Sequence, residues 1–224
     1  MRIQVTGAGW VTESAYGSVA SGEERRFAEG EGVVSLSRSG LFSHPFRNFA
    51  RLDLLSKMTV CAVALALGDA AIAYSALEKQ AIGILGSSSQ GALASDLAYF
   101  SDYVRNGRTL SRANLFIYTL PSSPLGEAAI HFGLVGPLLY AGGGQGAAGT
   151  ILDMAAAMLA AGEADHMLVG RADPGEALYL VLERDRGGRG ICSLAEARAI
   201  VDSVPDVAGM VQELLLVKDT EGEP

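Results

Sequence analysis

Residues 133–170, GLVGPLLYAGGGQGAAGTILDMAAAMLAAGEADHMLVG, constrain the fold of this chain more than any other stretch. They read in order as a turn, a short strand, a glycine-rich elbow, a helix and a second strand. Gly136-Pro137 is turn chemistry. Leu138, Leu139 and Tyr140 form a brief apolar run that suits a buried strand. Gly142, Gly143, Gly144 and Gly146 then clear side chains from a sharp strand-to-helix junction, where close backbone approach or positive φ favours glycine. Ile151, Leu152, Ala155, Met158 and Leu159 recur at helical spacing, and Gly162 is a stop signal. Residues 166–170 read as another buried strand. Gln145 sits in the middle of the elbow.

The rest of the chain repeats this alternation. Residues 2–12 read as a strand running into a Gly-Ala-Gly turn, and a short helix is expected around residues 21–27. Residues 53–76 carry Leu54, Met58, Cys61, Ala62, Leu65, Asp69 and Ile72 at spacings of three and four, which predicts a helix. A strand at 81–85, a serine-rich loop at 86–91 and a helix at 92–104 follow. A break at 121–124 precedes a helix over 125–132. Residues 177–183 predict a fifth strand and 192–201 a final helix, with 214–217 as a last strand. Strands alternating with helices predict an α/β protein with a mostly parallel five-stranded sheet flanked by helices.

Composition narrows the function classes. The 224 residues are 49% hydrophobic, enough for a substantial core, and 7% aromatic, so alanine and glycine carry much of the packing. A net charge of -8 argues against nonspecific binding to nucleic acid and against anionic membranes. No run of 18 apolar residues lacks a charge or a glycine break, so no membrane span is expected. No secretory signal opens the sequence, and Cys61 and Cys192 stand in ordinary apolar contexts, as in a reducing cytoplasm. His44, His131 and His166 share no ligand spacing with each other or with the cysteines, which points away from zinc. No metal or cofactor is expected.

Three readings of the elbow follow. Residues 144–149 satisfy G-x-G-x-x-G between a strand and a helix, with Asp173 placed where a ribose-binding acid would stand. That makes a nucleotide-binding protein one alternative. A second is that the glycines only let an alanine-rich helix, expected to be buried on all sides, pack tightly.

The third comes from the whole chain. V-T-G-A-G-W-V-T at residues 5–12, L-P-S-S-P-L-G-E-A-A-I-H-F-G-L-V-G-P at 120–137, the G-E-A-D with its following strand at 162–170, and the strand at 177–184 resemble, in order, the N-terminal half of the β-ketoacyl synthases. These are condensing enzymes of fatty-acid and polyketide synthesis with a thiolase-like fold. The resemblance implies one N-terminal domain over residues 1–224, with the C-terminal half of the family fold and its two histidines absent.

In that family a cysteine nucleophile stands at the tip of the elbow. There the helix N-terminus lowers the thiol pKa and backbone amides stabilise the oxyanion. The matching position here is Gln145, whose amide forms no acyl thioester. The chain-length-factor subunits of aromatic polyketide synthases carry glutamine at this place. The resemblance therefore implies a non-condensing accessory or chain-length-factor-like subunit, with Gly144, Gln145 and Gly146 at the acyl or oxyanion position. It also implies a homodimer or a heterodimer with a condensing-enzyme subunit, contact with an acyl carrier protein, and pairing through Leu138, Leu139, Tyr140 and Leu120. A lone half would expose its alanine-rich helix, which a second chain is expected to cover. A scaffolding protein that kept the fold without the site is the other alternative. Cys61 reads as a core thiol, Cys192 as the more exposed one, and His131 as a helix-surface residue. Ser87, Ser88 and Ser89 have no acid or base beside them in sequence, so no hydrolase triad is expected.

Overall fold

The computed structural model describes residues 2–38, 40–75, 77–109, 112–143, 146–188 and 190–220. Its strands are β1 (Ile3–Thr12), β2 (Ala15–Ser18), β3 (Glu24–Arg26), β4 (Ile82–Ser88), β5 (Leu138–Gly142), β6 (His166–Asp173), β7 (Glu176–Arg184) and β8 (Cys192–Ser193). Its helices are α1 (Leu54–Asp69), α2 (Leu93–Arg105), α3 (Ala113–Phe116), α4 (Ser123–Phe132), α5 (Ala147–Ala161), α6 (Leu194–Ser203) and α7 (Val207–Thr220).

The five expected strands form the body of one sheet, in the order β1-β7-β6-β4-β5. β5 and β6 each run parallel to β4, while β7 is antiparallel to both β6 and β1. Four of the five therefore point the same way. The sheet differs from the expectation in being mixed and larger: β2 and β3 extend it beyond β1, and β8 also pairs with β1. The helix expected at 21–27 is the strand β3, antiparallel to β2 through Ala15↔Arg26 and Gly17↔Glu24. All three β3 residues are exposed, so the run E-R-R carried no apolar period to reveal an edge strand.

The Gly-Ala-Gly turn expected near the N-terminus is also strand. β1 runs through Gly7 and Gly9, with a register shift between Val5 and Gly7 in its ladder with β7. The glycines serve packing. A Cβ on Gly9 would lie 2.2 Å from the Ala66 amide nitrogen, and one on Gly7 2.6 Å from the Ala66 carbonyl oxygen. α1 thus rests its backbone on β1. Asp69, at the end of α1, accepts the amides of Ala8 at 2.9 Å, Ala20 at 2.8 Å and Ser21 at 2.9 Å. A carboxylate at a helix C-terminus opposes the helix dipole, and these three donors compensate it.

The sheet divides the core in two. On one face α1 packs with α4 around Met58, Cys61, Leu67, Ile84, Phe132 and Tyr179. On the other, α5, α6 and α7 enclose Leu85, Ile151, Leu159, Leu180, Ile200 and Met210. Each fully buried leucine or isoleucine contributes about 2 kcal/mol. The helix enclosed on every side is α1, whose residues 58–64 are all buried. α5 buries one stripe and leaves Thr150, Asp153, Ala157 and Ala160 exposed. Its covering comes from the same chain: α6 lies against it, and Arg198 bonds both Asp153 and the Gly149 carbonyl. No α5 residue is among the exposed large apolar side chains, so a second chain is not needed to cover this helix.

The C-terminal elements correct the sequence reading further. Cys192 is in β8, and the final helix of that region starts after Ser193, whose side chain and Glu196 form a capping box. Residues 214–217 are helical, within α7.

Candidate functional site

β5 ends at Gly142 and α5 begins at Ala147, so the chain makes the expected strand-to-helix elbow. Gly143 has φ of 142° and Gly146 has φ of 100°, values that a side chain would strain. Gly144 and Gln145 lie outside the described residues. Gly146 is the N-cap of α5 and offers no side chain to it. The Thr150 amide donates to the Gly146 carbonyl at 3.0 Å, closing the first turn of α5.

A cleft of about 260 Å3 opens beside this turn. Its floor is the C-terminal end of the sheet, with Ser87, Ser88 and Ser89 after β4 and Arg171 and Asp173 on β6. Its outer wall is the C-terminal end of α6 with the start of the turn that follows, residues 201–205. Asp173 organises the floor. Its Oδ1 accepts Ser88 Oγ at 2.9 Å, the Ser89 amide at 2.8 Å and Ser89 Oγ at 2.8 Å. Burial would raise this carboxyl, but the bonds from Ser89 and Ser88 and the charge of Arg171 outweigh it and hold the pKa below the usual carboxylate value. Two of the three serines thus have a carboxylate partner, which the sequence did not reveal because Asp173 lies 84 and 85 positions away.

Arg171 joins floor to wall. One guanidinium nitrogen donates to Pro205 O at 2.6 Å, and the other reaches Asp173 at 3.2 Å and Glu176 at 2.6 Å. Glu176 in turn accepts the Val207 amide at 3.0 Å, fixing the start of α7.

No cysteine or histidine is among the residues lining this cleft. Cys61 is fully buried in α1, and burial pushes its thiol far up, with Lys57 opposing. Cys192, expected to be the more exposed thiol, is buried too, paired across the sheet with Val5. His131, expected on a helix surface, is buried beneath the loop of residues 42–49: its ring stacks on Phe46 at 4.0 Å and on His44 at 4.3 Å. His166 starts β6 at the opposite end from the cleft and meets Glu183 at 3.2 Å. The serines thus have an acid but no base, and the geometry offers no triad.

The glycine fingerprint is partly a packing device. A Cβ on Gly149 would lie 2.2 Å from Arg198 Nε and 2.4 Å from Asp202 Oδ1, so this glycine leaves room for the Arg198–Asp202 pair against α5. Asp173, the residue placed to bind a ribose, already accepts four hydrogen bonds within the protein.

The segments expected at an interface lie on the surface. β5 ends the sheet, and among the described residues its outer edge pairs with no strand. Leu138 is 42% exposed and Leu120 56%, with Leu139 and Tyr140 half-buried. No helix among the described residues is long and apolar enough to cross a membrane.

Comparison with known proteins agrees with this architecture. Solved structures similar in fold include the ishigamide ketosynthase/chain length factor, at TM-score 0.61 and 16% identity over 96% of this chain and 81% of that one. A type II polyketide ketosynthase in complex with its acyl-carrier protein, AntDE:AntF, aligns at TM-score 0.59 and 15% identity over 87% of this chain and 62% of that one. A ketosynthase in complex with its chain length factor from Xenorhabdus doucetiae gives TM-score 0.53 and 16% identity, over 84% and 81% of the two chains. No curated protein sequence matches the chain. The sequence profile of the β-ketoacyl synthase N-terminal domain matches residues 20–177, which span β4, β5, α5 and β6, and the chain therefore belongs to the β-ketoacyl synthase family.

Proposed function

We propose that the chain, as a single ketosynthase-like N-terminal domain over residues 1–224, is a non-condensing, chain-length-factor-like accessory subunit of fatty-acid or polyketide synthesis. One observation carries this reading: the elbow where the family holds its nucleophile has Gln145 at the matching sequence position, and the cleft beside it is lined by neither cysteine nor histidine. Thioester chemistry needs a thiolate there and a proton-transfer group within reach. What remains is a cleft lined at the elbow by Gly143, Gly146, Ala147 and Ala148.

Two of the similar structures are described as ketosynthases with chain length factors, which supports a heterodimer with a condensing-enzyme subunit. A homodimer would use the same edge. One more contains an acyl-carrier protein, which supports a carrier protein as a further partner. The free edge of β5 and the exposed Leu120 and Leu138 are the surface for pairing, because an open edge and exposed apolar side chains both favour a second chain. Reconstitution tests the reading. Adding this chain to a condensing subunit and its acyl carrier protein should change the chain length of the product. A product distribution independent of the chain, with no co-purification, would favour a scaffolding role.

A further inference from the structure

We infer that Asn106-Gly107 is a site of spontaneous deamidation, with isoaspartate as its main product, and that the reaction unlocks the last turn of α2. The chain has three asparagines, Asn48, Asn106 and Asn114, followed by Phe49, Gly107 and Leu115. Asparagine is one of the thermolabile residues. Its deamidation begins when the next backbone nitrogen attacks the side-chain carbonyl carbon. A side chain on that next residue crowds the attack, and of the three followers Gly107 alone brings none. Residues 104–109 are all exposed, so water reaches the turn and the backbone has room to rotate. None of them lines the elbow cleft, and the site does not depend on the accessory role.

The same pair closes α2. Asn106 is the C-cap, Gly107 follows at φ of 69° and Arg108 at φ of 63°. The Gly107 amide donates to the Val104 carbonyl at 3.3 Å and the Arg108 amide to the Tyr103 carbonyl at 2.9 Å, a Schellman arrangement. Attack requires the Gly107 nitrogen to leave its acceptor, and its bond is the longer of the two. A helix end opens more readily than its middle, and opening here relieves the positive φ that Arg108 holds without being glycine. Water is the one co-reactant. The Gly107 nitrogen gives its proton to solvent base and bonds to Asn106 Cγ, and the side-chain nitrogen leaves as ammonia. Water then opens the resulting succinimide. Breaking the bond to Cγ gives aspartate. Breaking the bond to the backbone carbonyl gives isoaspartate, in which the chain runs through Cβ and Cγ and is one carbon longer. That extra atom carries the Gly107 and Arg108 amides away from their acceptors. The new carboxylate also stands at a helix C-terminus, one turn after Asp102, where dipole and like charge both oppose it.

The test holds the full chain at 37 °C and pH 8.5 for two weeks, with a parallel sample at pH 5. At pH 8.5 the peptide containing residue 106 should gain one mass unit and accept a methyl group from S-adenosylmethionine through isoaspartyl methyltransferase. It should do so about tenfold faster than the peptides containing Asn48 and Asn114, a gap that a small steric barrier supplies. The pH 5 sample should lag far behind, because the attacking nitrogen keeps its proton. Asn106→Ser should abolish both signals. Hydrogen exchange at the Gly107 and Arg108 amides should speed up in the aged protein but not in fresh Asn106→Asp, which adds the charge and keeps the backbone length. No mass gain at pH 8.5, modification spread evenly over the three asparagines, or methyl acceptance that persists in Asn106→Ser would overturn the site. Exchange as fast in Asn106→Asp as in the aged wild type would overturn the unlocking by a longer backbone.

Discussion

Gly9 lies directly under Ala66: a Cβ added to the glycine would sit 2.2 Å from the Ala66 amide nitrogen and 2.4 Å from the Ala62 carbonyl oxygen. Both are backbone atoms of a buried helix, so neither can swing away. Gly9→Ala should therefore destabilise the protein by ~3 kcal/mol, the upper range for overpacking, and lower Tm by roughly 10 °C. Gly68→Ala, in the same helix with nothing within 4 Å of its Cβ position, should leave stability unchanged or raise it by up to ~1 kcal/mol. Equal effects at the two sites in urea unfolding would contradict the close seating of α1 on β1.

Asp69 should behave as a tie between segments. Its carboxylate holds the amides of Ala8, Ala20 and Ser21, so Asp69→Ala strands donors in β1 and in the turn after β2. A loss of about 2–3 kcal/mol is expected, in the range for bonds to a charged group. Amide exchange at Ala20 and Ser21 should rise with it.

His131 sets a pH dependence. Burial, and then the neighbouring His44, lower its pKa to about 4 from the ordinary 6.5. The unfolded chain binds a proton at this histidine where the folded chain does not, so stability is complete above pH 6.5 and falls as pH drops toward 4. The loss should be about 1–3 kcal/mol, at 1.36 kcal/mol per pKa unit reduced for incomplete burial. His131→Phe, which keeps the stack on Phe46, should flatten the slope between pH 7 and 4.5. An unchanged slope would place the titration elsewhere.

The pairing surface makes its own prediction. Leu120→Asp with Leu138→Lys should abolish co-purification with a condensing subunit and any self-association seen by light scattering, without lowering Tm, because both side chains are exposed. A drop in Tm would mean that they stabilise the fold itself.

The elbow and the strands around it were legible in the sequence because their signals are local: a short apolar run, clustered glycines, a helical period and Gly162 as a left-handed cap. What failed was set by distant partners or by ambiguous short patterns. Gly7 and Gly9 looked like a turn because α1, which needs them, lies nearly sixty residues on. His131 looked exposed because Phe46 and His44, which cover it, lie more than eighty positions earlier in the sequence. The run at 214–217 is too short for periodicity to separate strand from helix. The Ser88–Asp173 bond spans 85 positions and carries no local mark.

Mass spectrometry of the intact protein after incubation with malonyl and acyl thioesters tests most directly the proposal that the elbow forms no acyl thioester. The wild type should carry no adduct, and Gln145→Cys should gain one acyl group at residue 145. An acyl adduct on wild-type Cys61 or Cys192 would contradict the account.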